Sequence, residues 1–233
     1  MGEHAADDLD ELIRRVDPDR WLTSRFIGDA IARRDVMALY AYDHELARAQ
    51  RIASTPLMAE IRLTWWREVL DEIFADGSVR RHPTAEALAA AVRRRGLPRE
   101  PLEAMIDGQI EAANAPAFDA AGVVAWADAV EGSAARAAAV ILDPSAPAEA
   151  AAPAGRAWGL ALLLRAGVAS REVLAAPLRE ALAEARAEAR SLSVAALPAA
   201  LPARLARFDL AGRQLGPFAK RLALVLASAT GRL

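Results

Sequence analysis

The 233-residue chain has 29 Lys+Arg against 31 Asp+Glu, a net charge of −2 that lacks the basic balance of a general nucleic-acid binder. It has no cysteine, which excludes disulfides, thiolate metal sites and cysteine nucleophiles and leaves the redox compartment open. Hydrophobic residues make up 54% and aromatics 5%, so the core must come from Ala, Leu, Val and Ile, a mixture that favours closely packed helices over sheets.

The first segment, MGEHAADDLDELIRR, is acidic and amphipathic, unlike a secretory leader, and predicts a helix over 7–16. Helices are expected next at 21–29, 34–52 and 56–75. Pro56 after Ser54-Thr55 marks the start of the third, and Asp76-Gly77 marks its end before the turn through Pro83. Further helices are expected at 84–95, 99–113, 119–141, 153–168, 172–192 and 215–229. Irregular chain is expected through Asp143 to Pro153 and Ala196 to Pro202. No stretch combines alternation with β-branched richness, so no sheet is expected. The longest apolar runs, such as Ala157 to Leu164, fall far short of the ~18 residues of a membrane span. Abundant Arg with Lys220 as the only lysine suggests a GC-rich bacterial genome.

Common catalytic signatures are missing. His4, His44 and His82 are scattered, and there is no phosphate-binding loop or dinucleotide glycine fingerprint. Ser133, in EGSAA, lacks the second glycine and the preceding strand of a nucleophile elbow. Among charged residues, Asp43 reads as a solvated carboxylate, Glu45 as an i,i+3 partner of Arg48, and Arg67 as an i,i+4 partner of Asp71. Trp65 and Trp66 read as core or interface residues. Asp107 and Glu111 are the best remaining carboxylate pair, expected on a wet helix face.

The stretch MALYAYDHELARAQR (Met37 to Arg51), followed by EIRLTWWREVLDEI (Glu60 to Ile73), resembles the opening helices of the squalene/phytoene synthase family. The resemblance runs from about Asp19 to about Arg190 and implies a single-domain, all-α, isoprenoid-synthase-like bundle around a central cavity, spanning 1–233. Residues 1–18 are expected as a loose N-terminal segment, and 191–233 as a weakly matched C-terminal part. In active members of that family an aspartate-rich motif on the first of these helices collects Mg2+ for a substrate diphosphate. Laid on this chain, its aspartates fall on Ala47, Arg48 and Arg51. Alanine supplies no ligand, and arginine has no acceptor lone pair and stays cationic. A second family motif matches GRAWGLALLLRAGVAS (Gly155 to Ser170) at Gly155, Ala157, Leu160 and Arg165. Its metal-binding positions fall on Leu162, Ala166 and Ser170.

The same pattern, through Ala38, Leu39, Ala41, Tyr42, Glu45, Leu46, Ala47, Trp65 or Trp66 and Ile73, is similar to a degenerate branch of the family, the synthase-like respiratory complex I assembly factors. The expectation is therefore a catalytically degraded member with no cofactor, acting through protein or lipid contacts in assembly of a respiratory membrane complex. Arg48, Arg51 and Arg165 are the candidate anion contacts, since guanidinium matches phosphate geometry. The expected location is cytoplasmic, peripheral to the inner membrane, with a respiratory protein or a prenyl lipid as partner. One alternative is an active Mg2+-dependent transferase joining farnesyl or geranylgeranyl diphosphate head to head. Another is an isoprenoid-binding module. The apolar segment 215–229 is expected to close the core, with a membrane or partner contact as the alternative.

Overall fold

The computed structural model describes residues 2–75, 77–114 and 119–233. Its helices are α1 (Gly2–Val16), α2 (Pro18–Ser24), α3 (Ala30–Arg51), α4 (Pro56–Phe74), α5 (Pro83–Arg95), α6 (Glu100–Asn114), α7 (Ala120–Trp126), α8 (Ser133–Leu142), α9 (Ala152–Ala166), α10 (Arg171–Glu188), α11 (Pro202–Leu210) and α12 (Pro217–Thr230). A π-helical turn, Ala127–Gly132, joins α7 to α8, and short 3-10 turns lie at Ala148–Ala151, Ala189–Ser191 and Leu197–Ala199. Among the described residues there is no strand, as the composition requires.

Local chemistry sets many of the helix ends. Asp17 accepts the main-chain N–H of Arg20 at 3.0 Å and caps α2, whose first residue is Pro18. Asp29 does the same for α3 through Ile31, and Thr55 caps α4 ahead of Pro56. Gly96 and Gly167 close α5 and α9 in the left-handed conformation that a side chain would disfavour.

The helices bury two apolar clusters. The first draws on α1, α3, α4, α5, α6 and α8, with Leu39, Leu46, Leu63, Leu88, Leu102 and Ile106 fully buried. The second is built by α9, α10, α11 and α12 around Trp158, Leu160, Leu174, Leu178 and Leu201. Between them α9 lies against the π-helical turn, and two glycines make this approach possible. A Cβ on Gly155 would stand 2.7 Å from the Glu131 carbonyl carbon and closer still to its oxygen, while one on Gly159 would stand 2.8 Å from Glu131 Cγ.

Several expectations are corrected. The helix expected over 21–29 begins earlier and stops at Ser24, because Asp17 and Pro18 start it and a turn leads into the Asp29 cap. The span 119–141 is helical but interrupted by the π turn. The irregular chain around Pro198 gives way to α11, a helix hidden by its short length and proline start. Segment 215–229 does form a helix, yet only Ala223, Leu224 and Ala227 close the core, and Phe218, Leu222, Val225 and Leu226 are exposed. Of the expected Asp76-Gly77 stop, Asp76 lies outside the described residues. Arg67 pairs across helices with Asp107 at 2.6 Å, and Asp71 with Arg99 at 2.5 Å, so neither makes the expected bond along α4. The Glu45–Arg48 pair forms as expected, at 3.2 Å.

Candidate functional site

At the seam between the two apolar clusters lies an ion cluster centred on Arg20. This residue comes from α2, and the Asp17 cap and Pro18 fix where that helix enters the fold. Its guanidinium donates to Asp43 of α3 at 2.6 Å, meets Glu131 of the π turn through Nη2, and has Asp17 3.7 Å from Nε. Its flat face lies 4.7 Å from the Tyr40 ring centroid, with Trp158 of α9 at 6.0 Å. The side chains of Arg20, Asp43 and Glu131 are 5%, 11% and 3% exposed, so this is an interior cluster and not a surface pair.

The electrostatics follow from one cation between two buried acids, with a third, Asp17, half-buried beside it. Burial works against a charged Arg20, but Asp43 and Asp17 outweigh it and hold the guanidinium firmly protonated. Burial pushes the Asp17 carboxyl up against the pull of Arg20, since the cluster carries more negative charge than one guanidinium balances. Burial also raises Tyr40, to about 12, which leaves its phenol neutral. Asp43 Oδ1 and Trp158 Nε1 have no hydrogen-bond partner in the protein. Asp43 is thus no solvated carboxylate: the helix face that carries Tyr40 and Ala47 turns it inward.

The candidate positions taken from the sequence do not share a single surface. Ala47 is half-buried one turn beyond Asp43. Arg48 is exposed and held by Glu45, and Arg51 lines a depression of about 360 Å³ with Thr55, Pro56 and Ala112. Arg165 lines a different cavity, of about 270 Å³, where it pairs with Asp19 at 3.1 Å and Asp209 at 3.5 Å and lies 4.3 Å from the Trp158 ring centroid. Lys220 joins it on Asp19 at 2.6 Å. Leu162 is half-buried against the second cluster, Ala166 is exposed, and Ser170 caps α10 by accepting the Val173 N–H.

These residues do not fit a magnesium site. Mg2+ takes carboxylate and water oxygens in near-octahedral array. The positions expected from the family resemblance to supply them hold Ala, Arg, Leu and Ser, and the buried acids Asp43 and Glu131 are turned onto the Arg20 guanidinium. Among the described residues no group of three or more His, Asp or Glu side chains is arranged to hold a metal ion. The arrangement is a closed internal ion cluster, able to tie α2, α3 and the π turn together.

Arg20, Asp17, Glu131 and Trp158 were not singled out from the sequence. The usable signal was a lone acid in an otherwise small and apolar run, Glu131 in AVEGSAA and Asp43 in MALYAYD. Buried acids of this kind need a cation, and nothing local identifies Arg20 as that cation.

Comparison with known proteins gives consistent results. The squalene/phytoene synthase family model matches residues 13–169. NADH dehydrogenase (ubiquinone) complex I, assembly factor 6, of Bos taurus is 32% identical over 97 residues, covering 42% of this chain and 28% of that protein. The homolog of that factor in Dictyostelium discoideum is 26% identical over 87 residues, 37% of this chain and 24% of that protein. The matched regions thus span about a quarter of these relatives' length. Two solved structures share the fold: a dehydrosqualene synthase in complex with ligand (TM-score 0.79, 15% identity, 98% of this chain and 97% of that one), and squalene synthase HpnC from Alicyclobacillus acidocaldarius (TM-score 0.68, 14% identity, 99% and 95%).

Proposed function

The chain belongs to the squalene/phytoene synthase family, and from that premise we propose that it is a catalytically degraded member that works by contact, helping to assemble a respiratory membrane complex. The observation that carries the first half is the Arg20 cluster. Loss of metal-motif acids could in principle be offset by acids from neighbouring turns, but the neighbouring buried acids, Asp43 and Glu131, are both taken up by Arg20. A guanidinium has no lone pair with which to bind a metal ion, and its charge repels one. Ionisation of a prenyl diphosphate depends on Lewis-acid stabilisation of the departing diphosphate, which this centre is not built to supply.

The second half is supported by likeness to the two assembly factors, limited to the shared region. Among the described residues no helix is long and apolar enough to cross a membrane. The chemical reading is tested by incubating purified protein with farnesyl or geranylgeranyl diphosphate and Mg2+ and measuring released pyrophosphate. No release above a no-protein control is expected, and sustained turnover would overturn the reading in favour of an active synthase. The assembly reading is tested by crosslinking in native membranes, where failure to recover any respiratory subunit counts against it.

A further inference from the structure

The C-terminal part of the chain is electrostatically unlike the rest. From Pro202 onward it holds six basic residues and one acid, Asp209, in a protein whose net charge is −2. Five guanidinium groups, those of Arg186, Arg190, Arg204, Arg207 and Arg232, line one cavity of about 430 Å³. Arg186 donates from Nε to the main-chain oxygen of Leu233 at 3.3 Å. Among the described residues none of the five forms an ion pair with a side-chain carboxylate, in contrast to Arg20, Arg80, Arg99, Arg136, Arg156 and Arg165. Arg204 Nε is buried with no hydrogen-bond partner. Burial, then the charges of Arg207 and Arg186, push its pKa down. Like charges gathered this way repel unless an anion enters among them.

Beside this cavity lies the exposed apolar face of α12. Phe218, Leu222, Val225 and Leu226 recur at i, i+4, i+7 and i+8 and so share one side of the helix. Phe218 is 79% exposed and the other three about half. The opposite side, Ala223, Leu224 and Ala227, is fixed against the second apolar cluster. Leu226 belongs to both features, since it also lines the arginine cavity, and Arg221 flanks the apolar face on its other edge.

We infer that this surface docks on a bilayer containing anionic phospholipid, with the apolar face of α12 in the headgroup boundary and the arginine cavity receiving a lipid phosphate. Guanidinium forks match phosphate oxygens, and a helix with one apolar face and basic flanks lies in the interface plane of a membrane. Charge complementarity favours this occupant over a second copy of the chain. An isologous pairing through α12 would bring together two sets of arginines that, among the described residues, have no ion pair with a side-chain carboxylate, and like charges at one seam repel. The inference rests on the assembly reading only in naming the surface that meets the membrane.

The test is flotation of the purified full chain with vesicles of phosphatidylcholine alone and of phosphatidylcholine with phosphatidylglycerol. Binding to the anionic vesicles, at least about tenfold above the neutral ones and weakened by salt, is expected. The triple variant R186Q/R204Q/R207Q should lose affinity on the order of 100-fold, from roughly fivefold per arginine. Arg207→Gln alone, at an exposed position, should lose about fivefold and serves if the triple variant does not fold. Leu222→Ser/Val225→Ser should also reduce binding. Equal partition into both vesicle types, or binding indifferent to the arginine substitutions, would overturn the inference. So would absence of vesicle binding, whether accompanied by saturable binding of inorganic phosphate alone or by a dimer that Leu222→Ser/Val225→Ser dissolves. Because the assay contains no respiratory protein, its failure is read separately from failure of the assembly reading or of the pyrophosphate assay.

Discussion

Arg20 shows how one residue can decide what a polar centre does. Two charged groups removed from water each lose several kcal/mol of hydration, and close contact restores this only when geometry is good and both partners are present. With Asp43 at 2.6 Å and Glu131 in contact, Arg20 meets that condition, and its removal leaves acids facing an apolar interior. Arg20→Ala should therefore destabilise the protein by about 3–5 kcal/mol at neutral pH, measured by urea unfolding. The loss should shrink as pH falls toward 5. Burial already holds the Asp17 carboxyl above its usual range against the pull of Arg20. Without that cation it rises further, the folded state takes up a proton that the unfolded chain does not, and lower pH favours folding of the variant. A loss that is small, or that is the same at both pH values, would show that the cluster is not held together by charge. Legibility at this scale was limited by distance along the chain. Glu45–Arg48 is a local pair and could be read from spacing, whereas Arg20–Asp43 and Arg67–Asp107 join residues 23 and 40 apart.

At the scale of single elements, most helices were readable because proline, glycine and capping residues punctuate them. Thr55-Pro56 and His82-Pro83 place the starts of α4 and α5, and Gly96 and Gly167 place the ends of α5 and α9. The π turn was not readable, because one wider turn leaves the apolar pattern of α7 and α8 nearly intact. It matters because it carries Glu131 against α9, where GRAWG offers two glycines one turn apart. Family likeness had already marked Gly155; the structure supplies the reason, since its missing side chain lets the Glu131 backbone approach. Gly155→Ala gains about 1 kcal/mol of helix propensity but drives a methyl into main-chain atoms that cannot swing aside. A net destabilisation of about 2 kcal/mol, the upper end for overpacked cores less that gain, is expected in chemical denaturation. Equal or greater stability in that variant would mean that α9 and the π turn are not in contact as described.

Across the whole molecule, the all-helical class followed from composition and the family likeness, while the division of the core into two clusters did not, since Ala-rich helices match many partners equally well. The two clusters meet where α9 lies on the π turn and where Arg20 reaches from Tyr40 toward Trp158, and this seam should make them unfold together. Tryptophan reports on each side: Trp66 lies in the first cluster and Trp158 in the second. In variants that keep only one of these two tryptophans, the others replaced by Phe, fluorescence midpoints in urea should coincide with each other and with the loss of helical circular dichroism. Adding Gly155→Ala should lower both midpoints together, because its methyl would meet Glu131 of the π turn and also Ala135 Cβ of the first cluster at 2.8 Å, so both sides of the seam are strained. Separate midpoints in the parent pair would instead show two independently folding halves, and would remove the reason for regarding the Arg20 cluster as a clasp between them.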